Sequence, residues 1–137
     1  MEKLYKVVSV DKGSFGQSTL KSAVAKGAAQ LTYSPYAITV AKVGGILVFT
    51  ALESALEFIQ NECSLRHWEL WRVTGLSEIK LSGFTGLVFQ LFEEDSYVID
   101  MIKEAWSSND YDCSWPSYTK AFGSIFLEKK LLVGRRP

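Results

Sequence analysis

The chain has 137 residues and carries 15 Lys plus Arg against 15 Asp plus Glu, a formal net charge of zero. A balanced charge creates no long-range field to gather nucleic acid or anionic lipid, which argues against both as partners. Apolar residues at 47% and charged residues at 22% exclude a disordered chain, and the length fits one hydrophobic core in a single domain spanning 1–137.

In chain order, Leu4 to Val10 contains Tyr5, Val7 and Val8, which suit a pleated half-buried surface, and Asp11-Lys12-Gly13 supplies turn chemistry after it. Ser14 to Ala29 is small, polar and interrupted by glycine, with a strand favoured around Ser18 to Val24. Gln30 to Tyr33 reads as a short extended piece ended by Ser34-Pro35. Gly44-Gly45 leads into Ile46-Leu47-Val48-Phe49, a continuous apolar run expected of a buried strand. A helix follows to about Glu62. Thr50 and Glu53 have the spacing of a capping box, and Leu52, Ala55, Leu56 and Ile59 recur as one apolar stripe that leaves Phe58 off it.

His67 to Val73 alternates about two tryptophans, with Trp68, Leu70 and Arg72 on one face and His67, Glu69, Trp71 and Val73 on the other. Gly75 and Gly83 bracket Leu76 to Leu81, and Leu87 to Phe92 is a second strand-like run. Glu93-Glu94-Asp95 suits the positive end of a helix dipole. Tyr97, Val98, Met101, Ile102, Ala105 and Trp106 then predict a second amphipathic helix from about Asp95 to Trp106. Ser107 to Ser117 is an irregular polar and aromatic loop. Gly123 to Val133 returns to strand composition, and Gly134-Arg135-Arg136-Pro137 is expected to fray. Together these elements predict an α+β fold: a mixed or mainly antiparallel sheet of five to seven strands with two amphipathic helices packed on one face.

The sequence writes no cofactor or metal site. One histidine and two cysteines offer at most three of the usual soft zinc ligands, no phosphate-cradling loop joins a strand to a helix, and no nucleophile elbow is present. Cys63 and His67 are four apart, yet the helix is expected to end between them. Glu69, Glu93, Glu94, Asp95, Asp110 and Asp112 supply carboxylates whose commoner role is solvation or capping. The longest apolar run, Gly44 to Leu52, falls short of the ~18 to 20 residues of a bilayer span. The start Met1-Glu2-Lys3-Leu4-Tyr5 has no apolar signal region, so cytoplasmic residence with reduced thiols is expected.

Aromatic residues with a neighbouring arginine are the most suggestive feature. Trp71, Arg72, Tyr111, Asp112, Trp115 and Tyr118 are the candidate binding residues, because amphipathic rings in an irregular loop serve ligand stacking or partner surfaces. The sequence Tyr5-Lys6-Val7-Val8, then Leu20-Lys21-Ser22-Ala23, Leu31-Thr32-Tyr33, Gly45-Ile46-Leu47-Val48-Phe49, Glu53-Ser54-Ala55 and Leu70-Trp71-Arg72-Val73 resembles a loose set of small uncharacterised proteins of bacteria, phages and mobile genetic elements. That resemblance covers roughly the first half of the chain and implies no activity. The leading expectation is a non-catalytic module that binds a small ligand or a partner protein, as a monomer or a homodimer. The alternatives are a small hydrolase or transferase using Cys63, His67 or the loop carboxylates, and a structural homo-oligomeric protein that associates through a strand edge or Phe58.

Overall fold

The computed structural model describes residues 2–13, 15–23, 30–41, 45–62, 65–79 and 118–135. β1 (Leu4–Lys12) organises the sheet. One of its edges pairs with β6 (His67–Ile79), from Leu4 opposite Val73 to Ser9 opposite Trp68. Its other edge pairs with β2 (Ser18–Ser22) and, at Tyr5 opposite Phe49, with β5 (Ile46–Phe49). β7 (Thr119–Arg135) runs along the far edge of β6, and its second edge takes up β5 and β4 (Ile38–Val40). β3 (Thr32–Tyr33) extends β2.

The pairings β1 to β6, β6 to β7, β7 to β5 and β5 back to β1 close a ring, so the sheet is a small barrel. Strand alternation then sorts the side chains. Leu4 and Val8 of β1, Ile46 and Val48 of β5, Trp71 and Val73 of β6, and Ile125 and Leu127 of β7 pack together inside. Val7 and Leu70 face outward beneath α1 (Leu52–Asn61), where Ala55 and Ile59 cover them. Burying a large apolar side chain contributes about 1.5–3 kcal/mol, so the interior row is the main source of stability.

This architecture corrects the α+β expectation. The described residues form a strand-dominated, wholly antiparallel sheet with a single helix, not a sheet carrying two helices on one face. The reason is the length of β6 and β7, 13 and 17 residues, which pair along nearly their whole extent. A sheet that curls on itself fills its inner face with its own side chains and leaves only a narrow outer strip for a helix. The strand expected at Leu87–Phe92, the helix expected at Asp95–Trp106 and the aromatic loop lie outside the described residues.

Three local expectations also change. No side chain caps α1, because the Thr50 N–H donates to the Tyr118 carbonyl at 2.8 Å and is not open to Glu53. Phe58 packs on Phe49, with ring centroids 5.5 Å apart, while Leu56 is exposed, so the apolar stripe is rotated from the expected one. The C-terminal Gly134 and Arg135 are held in the ladder opposite Trp68 and His67. A Cβ at Gly134 would run into the Trp68 ring, which makes glycine a packing requirement there. No helix among the described residues is long and apolar enough to cross a membrane.

Candidate functional site

The site is built around Trp71. Its neighbours across the sheet are Lys6 on β1 and Lys130 on β7, and directly paired residues point to the same face. One row therefore runs Lys6, Trp71, Lys130. The register of β7 against β6 shifts between Leu70 and Trp71 and again between Arg72 and Val73. Irregularities of this kind re-aim side chains next to functional sites. Here they bring Lys130 opposite Trp71.

Two residues before Trp71 on the same face, Glu69 accepts the Trp71 indole Nε1–H at 2.8 Å in a buried hydrogen bond. Its second carboxylate oxygen lies 3.5 Å from Lys130 Nζ, and that ammonium stands 5.9 Å from the centre of the Trp71 ring. Tyr36 meets Trp71 edge to face, with centroids 5.6 Å apart and planes at 72°. Tyr36 is 66% exposed, and its backbone has φ +57°, a left-handed conformation that non-glycine residues seldom adopt. The backbone bond from the Tyr36 N–H to the Leu127 carbonyl, 3.0 Å, ties it to β7.

These groups line a cleft of about 470 Å³, together with Tyr33 and a rim that includes Thr32. Trp71 is only 1% exposed although it lines the cleft, because Tyr36 and Lys130 stand over it. Lys6 does not line the cleft. Its ammonium donates to the Leu47 carbonyl at 2.8 Å and lies 5.7 Å from the Tyr33 ring centre. Removing that ammonium from water pushes its pKa down to about 8. Burial likewise pushes the Tyr33 phenol well above its ordinary range, partly offset by its hydrogen bond with the Ser22 side chain.

Of the six candidate binding residues, Trp71 is the one among the described residues that lines this cleft, and Glu69, named with the candidate carboxylates, lines it too. Arg72, its neighbour, points to the opposite face of β6 and reaches Glu128 at 3.4 Å, lining a separate cleft of about 370 Å³ with Glu2 and Glu78. Tyr118 is 67% exposed with φ +59° and is not part of the Trp71 cleft. Tyr111, Asp112 and Trp115 lie outside the described residues, as does Cys63 of the thiol–imidazole pairing. The described residues contain no cluster of three or more His, Cys, Asp or Glu able to hold a metal ion.

Sequence reading missed Lys6, Tyr33, Tyr36 and Lys130. The signal within reach was Glu69, an acid beside the apolar Trp71 and Val73 on their shared, mostly apolar face. Comparison with family models, curated proteins and solved structures gives no match.

Proposed function

We propose that this protein is a non-catalytic binding module that holds a small ligand in the cleft over Trp71. The observation that carries the reading is the buried Glu69 carboxylate, fixed by the Trp71 indole at 2.8 Å and facing a cleft of about 470 Å³. A buried acid costs stability unless it is paired, and a core could seal this position with an apolar residue. Three aromatic rings beside it supply the apolar wall with a few placed polar groups that small-ligand sites use.

The test is a thermal-shift series in which the chain meets small organic cations, inorganic and organic anions, and neutral polyols. At least one class raises Tm in the native sequence, and the increase disappears in Tyr36→Ala, whose ligand-free Tm falls by only a few degrees because the lost contact with Trp71 is a single exposed aromatic pair worth about 0.5–1.5 kcal/mol. A Tyr36→Ala protein that responds as the native one does would remove the cleft from consideration.

A further inference from the structure

Resting on the cleft reading, we infer that the ligand group is an alkylammonium, methylated or quaternary, and that Lys130 occupies its place in the free protein. Aromatic faces attract cations through the ring quadrupole, and an ammonium gains most when a carboxylate stands beside the ring. The cleft is lined by Tyr33, Tyr36 and Trp71 together with Glu69, which is bonded to the Trp71 indole. This chain's own ammonium groups already use the arrangement: Lys130 lies 5.9 Å from the Trp71 ring and 3.5 Å from Glu69, and Lys6 lies 5.7 Å from the Tyr33 ring.

The two partners of the Glu69–Lys130 pair are unequally bound to the fold. The Glu69 side chain is 11% exposed and has its second anchor in the Trp71 indole, whereas the Lys130 side chain is 43% exposed and ends a flexible stem. The acid is a fixed part of the wall. The lysine is exchangeable because its 43% exposed side chain regains water on leaving, while an incoming ammonium takes over the pairing that the buried Glu69 needs. Swinging Lys130 into solvent uncovers the face of Trp71 and frees one carboxylate oxygen, the two features an incoming ammonium needs. A methylated ammonium is favoured over a bare one because it sheds water more readily and offers apolar surface to the exposed Tyr36 ring and to the Trp71 face that Lys130 uncovers.

The experiment follows the Trp71 indole N–H by NMR during titration with choline, with its neutral carbon isostere 3,3-dimethylbutan-1-ol, and with inorganic phosphate. Choline moves the Trp71 signal and the isostere does not. In Lys130→Ala choline binds roughly three- to tenfold more tightly, because it no longer competes with the internal ammonium. Glu69→Gln, which keeps the acceptor for the indole, weakens choline binding. Phosphate moving Trp71 in place of choline, with the effect lost in Lys130→Ala, overturns the ligand class and leaves the cleft standing. Equal choline affinity in the native protein and Lys130→Ala overturns the role of Lys130. Silence of Trp71 toward all three probes in both proteins overturns the inference, while the broader thermal-shift series decides separately whether the cleft binds another class.

Discussion

Trp71 donates its indole N–H to Glu69, two residues earlier on β6, at 2.8 Å, and both side chains are buried. An acid and an aromatic donor on one face of a strand satisfy each other without help from a distant element. Replacing Glu69 by leucine leaves the indole N–H buried without its acceptor and removes the partner of Lys130. The expected loss is about 1–3 kcal/mol in denaturant unfolding, with Glu69→Gln losing less because an amide oxygen still accepts. Equal losses in the two variants would show that charge, not the hydrogen bond, is the main contribution.

Lys6 gives stability a pH dependence of definite sign. Its folded pKa is lowered to about 8 from 10.5, so between those values the unfolded chain binds more protons than the folded one and stability rises with pH. Below pH 8 the penalty is constant, at no more than about 3 kcal/mol. Tyr33 acts oppositely: its phenol stays protonated in the fold while ionising near pH 10 in the unfolded chain, so stability falls above that point. Urea unfolding should therefore show a rise from about pH 8, a maximum between the unfolded values of 10.0 and 10.5, and a fall above them. Lys6→Met abolishes the rise, and Tyr33→Phe replaces the fall at high pH by a plateau above the ordinary lysine pKa of 10.5; a flat profile for the native chain contradicts the burial of the Lys6 ammonium.

Gly75 lies where β6 passes the Phe122 ring, and a Cβ there would collide with that ring inside the barrel. Gly75→Ala should cost about 1–3 kcal/mol by forcing Phe122 out of place. In Phe122→Leu the same alanine should cost much less, a coupling that a double-mutant cycle measures.

Arg72 and Trp71 are neighbours with separate roles. Arg72 forms a part-exposed ion pair with Glu128 at 3.4 Å, so Arg72→Ala should change stability by less than about 1 kcal/mol. It should leave ligand binding over Trp71 unaltered. A loss of binding in Arg72→Ala would mean that the cleft near Glu128 is the one that binds.

Individual strands and the helix after β5 were legible because alternation is a local property, whereas the closed, strand-dominated architecture was not. The run Ile46–Phe49 coincides with β5, α1 ends one residue before the expected Glu62, and the two faces of His67–Val73 separate as their spacing requires. What was not legible depends on pairing between distant segments. Trp71 meets Lys130 through a shifted register across 59 positions of chain, and Lys6 sits inside because β1 alternates about Leu4 and Val8. A lysine between apolar neighbours reads as an exposed position until the opposite strands are known. Tyr36 was hidden for another reason: its place over Trp71 depends on a left-handed backbone that Ser34-Pro35 alone does not specify.

Four tryptophans, at positions 68, 71, 106 and 115, make indole NMR the most direct measurement of where a ligand binds. With tryptophan labelled with nitrogen-15 and each signal assigned by single Trp→Phe replacement, any ligand that raises Tm should shift the Trp71 signal most. That shift should vanish in Tyr36→Ala. A ligand that moves the signals of Trp106 or Trp115 and leaves Trp71 still would contradict the account and return the site to the aromatic segment near Trp115.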